Sequence, residues 1–118
     1  MLLHLDFSTD VPIYRQIRNQ IVRGIAAGEL FPGQQLPTVR ALAADCGINM
    51  MTVSKAYSLL KQEGYIQTDR RGGTTVRDFA PDTMPDPVRE KLLMTLSEAK
   101  AAGAEVSTVL AIVKEVFP

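Results

Sequence analysis

The sequence predicts a mainly α fold with a small β wing, a winged helix-turn-helix domain followed by a two-helix hairpin. Three observations predict it. Two helical apolar patterns, 39–45 and 50–63, are parted by a tight turn holding Gly47. Two short β-prone runs then flank Asp69-Arg70-Arg71-Gly72-Gly73. Beyond a proline-rich stretch, two further amphipathic helices close the chain.

The first helix is expected over Val11 to Ala27, with Asp10 as its cap, Pro12 where a missing N–H does no harm, and Gly28 as its stop. Ile13, Ile17, Ile21 and Ile25 recur every four residues, and Tyr14 and Val22 widen that stripe. Arg15, Arg18 and Arg23 occupy the opposite face. Glu29 to Pro37 reads as a loop, with turn chemistry at Pro32-Gly33 and a breaker at Pro37. Thr38 is placed to cap a short helix from Val39 to Asp45, which Gly47 ends. Asn49 can then cap a third helix from Met50 to Glu63, closed by Gly64, whose buried stripe is Val53, Ala56, Tyr57 and Leu60.

Tyr65 to Thr68 and Thr74 to Arg77 read as the two strands of a wing, with Ile66 and Val76 packing on the helices because a lone hairpin is barely stable in water. Leu3, Leu5 and Phe7 alternate with polar residues, the pattern of a further short strand. Residues 79–87, with Pro81, Pro85 and Pro87, form a linker between a domain at 1–78 and a tail at 88–118. Asp86 is expected to cap the fourth helix and Pro87 to sit in its first turn. Val88, Leu92, Leu96 and Ala99 give it an apolar face; after Gly103, Val106, Val109, Leu110, Val113, Val116 and Phe117 do the same for the fifth. Met84 and Met94 read as a linker residue and a helix filler. Nothing within one chain covers those two faces. They therefore predict a two-helix dimerisation hairpin, two copies forming an antiparallel four-helix bundle over Leu92, Leu96, Leu110, Val113 and Phe117.

Composition narrows the classes of function. With 118 residues, 46% of them hydrophobic, the chain can build a compact core, but two modules sharing so few residues are each marginal, which again favours self-association. One cysteine, Cys46, allows no internal disulfide, and with His4 as the single histidine no metal site is expected; Cys46 reads as a small apolar residue beside Gly47. No cofactor is expected either. No run approaches the roughly 18 apolar residues of a membrane span, and the opening residues lack the regions of a signal peptide, so a cytoplasmic protein without a membrane partner is expected. No nucleophile motif, phosphate loop or dinucleotide fingerprint occurs, and the carboxylates are scattered, so the chain does not read as an enzyme.

Net charge is zero, yet its distribution is uneven. Nine cations face five carboxylates from Asp10 to Arg77, whereas four face seven from Asp78 onward. A basic front suits a duplex DNA partner. On the third helix the outward residues Met50, Met51, Thr52, Ser54, Lys55, Ser58 and Lys61 are small, polar or basic, clustered toward the N-terminus that a recognition helix presents to base edges. Thr and Ser exchange hydrogen bonds with bases or phosphates, Met and the Thr methyl can touch a thymine methyl, and Lys55 would anchor the helix on phosphate. The same face also suits a merely solvated helix. Arg40 on the second helix and Arg70 and Arg71 at the wing tip, beside Gly72 and Gly73, complete the pattern.

In order along the chain come Pro12-Ile13-Tyr14-Arg15-Gln16-Ile17, Gly28 through Ala43, Thr52-Val53-Ser54-Lys55-Ala56-Tyr57, Glu63-Gly64-Tyr65-Ile66 and Gly73-Thr74-Thr75-Val76. From about Asp6 to Val76 this succession resembles the DNA-binding domain of GntR-family regulators, and the short helical tail resembles their YtrA subfamily. The resemblance implies that Thr38 and Arg40 meet the DNA backbone, that Asn49, Met50, Met51, Thr52, Ser54 and Lys55 enter the major groove, and that Arg70, Arg71 and Gly72 reach the minor groove. It further implies a homodimer on an inverted-repeat operator, acting as a repressor. A small-molecule effector of unknown identity would sit at the dimer interface or between the modules. Two departures stand out: Met50 and Met51 replace the Ser or Arg common in relatives, and the wing lacks one residue of the usual Arg-Gly-x-Gly-Thr. The alternative is a winged helix that binds other proteins. A truncated relative of the MocR regulators, which append an aminotransferase-like domain, is disfavoured by length.

Overall fold

The structure is a computed structural model, and it describes residues 3–118. Five helices and one two-stranded sheet follow in the order α1 (Ile13–Ala26), α2 (Val39–Cys46), α3 (Met50–Glu63), β1 (Ile66–Thr68), β2 (Thr74–Val76), α4 (Asp86–Ala101) and α5 (Val106–Val116). The chain divides into two compact units at Asp78–Phe79.

In the first unit α3 packs against α1, α2 and β1. The isoleucine stripe of α1 does what its spacing predicts: Ile17 and Ile21 are wholly buried with Leu42, Val53, Leu60, Ile66 and Val76, while Ile13, Tyr14, Val22 and Ile25 pack on the rim of this core. Each fully buried aliphatic side chain is worth roughly 1.5–3 kcal/mol. The core therefore fixes the angle at which α3 is held.

The start of α1 differs from the expectation. Pro12, extended at φ −56° and ψ 146°, takes the N-cap position, and no side chain caps the helix; Asp10 is left outside it. The Pro12 carbonyl instead accepts from the amides of Arg15 and Gln16 at 3.0 and 3.1 Å.

The turn between α2 and α3 follows its local chemistry. Thr38 Oγ1 accepts from the Ala41 amide at 3.0 Å, and Asn49 Oδ1 accepts from the Met51 amide at 2.7 Å. Between them Gly47 takes φ +66°, a left-handed conformation that strains any residue with a Cβ, and Ile48 N–H returns to the Ala43 carbonyl. Helix α2 runs to Cys46, one residue further than expected, with Cys46 half-buried against the core.

Residues 3–6 form no strand. Leu3 and Leu5 do turn inward against the core, but the backbone there pairs with no strand: two glutamines of α1 stand in for one. Gln20 accepts from the His4 amide and donates to the His4 carbonyl, at 2.9 and 2.7 Å; Gln16 does the same for Asp6 at 2.8 and 2.7 Å. Each side-chain amide copies a peptide unit.

Strands β1 and β2 pair antiparallel with Ile66 opposite Val76. Their other edge is not bare. The segment expected as a plain loop before α2 lies along β2: Gly33 N–H reaches the Val76 carbonyl, Val76 N–H the Gln34 carbonyl, and Leu36 N–H the Thr74 carbonyl, all at 2.8 to 3.0 Å. Pro37, which has no N–H to offer, ends this pairing.

In the second unit α4 begins at Asp86, which lies inside the helix and does not cap it; Pro85 holds the N-cap position. The linker is correspondingly shorter than 79–87. Gly103, at φ +98°, separates α4 from α5, and neither helix has a buried residue.

Candidate nucleic-acid interface

The outward face of α3 is built by subtraction. Val53, Ala56, Tyr57 and Leu60 turn into the core, which leaves Met50, Met51, Ser54, Lys55, Ser58 and Lys61 outside. Met51 is 76% exposed and Met50 45%, high values for large apolar side chains. Met51, Thr52, Ser54, Lys55 and Ser58, together with Tyr14 of α1, line an open cleft of about 560 Å³.

Two of the expected DNA contacts already have work within the fold. The oxygens of Thr38 and Asn49 cap α2 and α3, so each residue is held rigidly at the start of its helix. Lys55 does not simply extend into solvent: its ammonium lies 4.1 Å from the centre of the Tyr14 ring, a cation–π contact that tethers the cation beside the cleft. Tyr14 is the residue that sequence reasoning missed here. Its place one position beyond Ile13 assigned it to the buried stripe, yet it sits on the margin of that stripe and borders the exposed face of α3.

Arg40 is exposed on α2, outside the lining of this cleft, as are Arg70 and Arg71 on the wing. The wing tip is tightly organised. Asp69 N–H donates to the Gly73 carbonyl at 2.7 Å, Gly72 N–H returns to the Asp69 carbonyl at 3.1 Å, and Asp69 Oδ1 accepts from the amides of Arg71 and Gly73, both at 2.8 Å. Gly72 has φ +83°, so the tip is a turn closed by a left-handed glycine, the usual build of a three-residue hairpin loop. At Gly73 a Cβ would come within 3.0 Å of the Gln35 and Asp69 side chains. One residue fewer than the usual motif thus still makes a defined tip, with the two arginines at its apex.

Two further contacts hold α3 in place. Arg18 meets Glu63 through paired bonds, Nε to Oε1 at 2.8 Å and Nη2 to Oε2 at 3.0 Å, and stacks over Tyr65. The Glu63 carboxylate raises the guanidinium pKa above its ordinary value, and through this pair α1 grips the C-terminal end of α3. Arg18, placed by its spacing opposite the apolar stripe, thus has a structural role within the first unit.

The five residues named for a dimer interface, Leu92, Leu96, Leu110, Val113 and Phe117, are all exposed, Phe117 to 75%. Leu93, Val106, Ile112 and Val116 are exposed with them. Leu96, Lys100, Ala104, Val106 and Val109 also line a cleft of about 420 Å³. Among the described residues no helix is long and apolar enough to cross a membrane, and no group of three or more His, Cys, Asp or Glu could hold a metal ion.

Comparison with known proteins places this geometry. Residues 13–76 match the family described as bacterial regulatory proteins, gntR family. The HTH-type transcriptional repressor YtrA of Bacillus subtilis is 34% identical over 98% of this chain and 92% of its own length. Among solved structures, YtrA from Sulfolobus acidocaldarius, a GntR-family transcription factor, is 36% identical, with a TM-score of 0.66 over 98% of this chain and all of that one. The DNA-binding domain of AraR in complex with operator ORX1 is 29% identical, with a TM-score of 0.56 over 63% of this chain and 95% of that one.

Proposed function

This chain belongs to the gntR family of bacterial regulatory proteins and is a DNA-binding transcriptional regulator; from that premise we propose that it acts in the cytoplasm as a homodimeric repressor of an inverted-repeat operator. The observation that carries the reading is the exposed face of α3, held by a buried core and the Asn49 side-chain cap so that it meets a groove without further ordering.

In this reading Asn49 to Lys55 lie in the major groove. Thr38 and Arg40 rest on phosphates on one side, and Arg70, Arg71 and Gly72 enter the minor groove on the other. Arginine suits both places, because its planar fork binds phosphate in pairs of hydrogen bonds and fits a narrow, negative groove. Two readers related by a twofold axis require half-sites about 34–36 Å apart, or a multiple of that.

The tail supplies the axis. Two helices with no buried residue leave apolar faces in water, and contiguous exposed apolar surface marks an interaction site. A second copy covers Leu92, Leu96, Leu110, Val113 and Phe117 by the same operation that covers its own. Repression follows because an occupied promoter excludes polymerase, and the Bacillus subtilis relative bears the name of a repressor.

A gel shift with the chain's own upstream DNA tests the reading. A retarded band that survives excess nonspecific competitor is expected; no retardation at low salt would favour a winged helix that binds protein instead.

A further inference from the structure

We propose that this regulator reads its half-site chiefly through thymine methyl groups, with Met50 and Met51 as the reading side chains. The inference deepens the DNA-binding reading above and rests on it. Its basis is what the first two turns of α3 carry and what they lack. Met50 and Met51 stand exposed, 45% and 76%, at the end of the helix that approaches base edges most closely. The apolar group that a base pair offers in the major groove is the C5-methyl of thymine.

The hydrogen-bonding alternatives are missing or occupied. Bidentate recognition of guanine needs Arg or Lys, and of adenine Asn or Gln. Residues 50–58 contain no Arg, Asn or Gln. Lys55, the one cation there, is drawn 4.1 Å from the Tyr14 ring, and the Asn49 oxygen is taken by the Met51 amide. Thr52, Ser54 and Ser58 remain, and hydroxyls accept from or donate to any base. Discrimination therefore falls to shape and apolar contact. Methionine is suited to this, being unbranched and polarizable enough to fit a methyl-lined groove wall. Phosphate contacts from Arg40 supply affinity without sequence, and the wing arginines enter a minor groove whose pattern is degenerate.

The test begins with the full chain and a library of random duplexes. The best duplex recovered is then remade with deoxyuridine in place of each thymine in turn, which removes the methyl and keeps every hydrogen-bonding group. At one or two positions of each half-site the native protein should lose binding roughly fourfold per methyl, the equivalent of one buried methylene. At the position that Met51 reads, the same replacement should leave Met51→Ala nearly unchanged, and because Met51 is largely in solvent this variant should melt with the native protein. Uracil tolerated at every half-site position, or equal losses in protein and variant, would overturn the methyl readout while leaving DNA binding intact. A library that yields no enriched duplex would overturn both.

Discussion

The hydroxyl of Tyr57 donates to the carbonyl of Pro37 across 2.7 Å, so that α3 holds the chain at the residue just before the cap of α2. The carbonyl sits where the third-edge pairing along β2 has ended and the helix has not begun. Without the phenol it has no partner in either element. Tyr57→Phe should therefore cost about 1–2 kcal/mol, read as a lower urea midpoint at constant slope. The pH dependence gives the sharper check. Burial pushes the phenol pKa from 10.0 up to about 12, so the folded state favours the protonated hydroxyl. That contribution is complete below pH 10 and is lost as the pH climbs toward about 12. The stability gap between the native protein and Tyr57→Phe should narrow over that window; a gap constant from pH 9 to 12 would refute the assignment.

Arg40 offers a second test, aimed at affinity. It is exposed on α2 and apart from the α3 cleft, and the proposed function makes it a phosphate contact. Arg40→Ala should weaken binding to every duplex, specific or not, and reduce the slope of log K against log salt by about 0.9. Fluorescence anisotropy between 50 and 200 mM salt measures both. A loss confined to one sequence would mean that Arg40 reads a base.

At the wing, the Asp69 carboxylate orders the tip by accepting two amides. Asp69→Ala should speed hydrogen exchange at Arg71 and Gly73 by roughly tenfold, the effect of about one net hydrogen bond, and weaken DNA binding with it. Asp69→Asn keeps an oxygen in the same place and should restore protection. If both variants exchange alike, charge and not the acceptor holds the tip.

For the tail, Leu96→Asp or Leu110→Asp places a carboxylate on the face proposed to pair with a second copy. Sedimentation should show monomers, with operator binding weakened by at least tenfold and the helix content of the reader unchanged. A variant that stays dimeric would remove these residues from the interface.

How much of this was legible in the sequence depends on the range of the forces involved. Caps and stops are local, so Thr38, Gly47, Asn49 and Gly64 announce α2 and α3 almost to the residue, and the four-residue step of the isoleucines announces the buried side of α1. Alternation at Leu3, Leu5 and Phe7 reports the first two as turned inward but fails at Phe7, which is 70% exposed, and a period of two says nothing of what holds the backbone in place. The pairing of 33–36 with β2 joins residues some forty positions apart, between prolines that read as breakers, and no local pattern encodes it. Asp10 failed as a cap because Pro12 already supplies the extended conformation that the position requires. For the candidate site, α3 and the wing could be located from spacing alone. The hold of Tyr14 on Lys55 and of Arg18 on Glu63 could not, since each depends on how α1 crosses α3.

The glutamine clasps on α1 carry one more consequence. A side chain that imitates a peptide bond must offer a donor and an acceptor at one particular reach, and Gln16 and Gln20 use both. Glutamate would set oxygen against the carbonyls of His4 and Asp6, lysine would strand their amides, and asparagine would stop a methylene short. The anchorage of the leading residues thus depends on the identity of two side chains with almost no chemical substitutes, whereas strand pairing runs through the backbone and would leave the side chains free to vary.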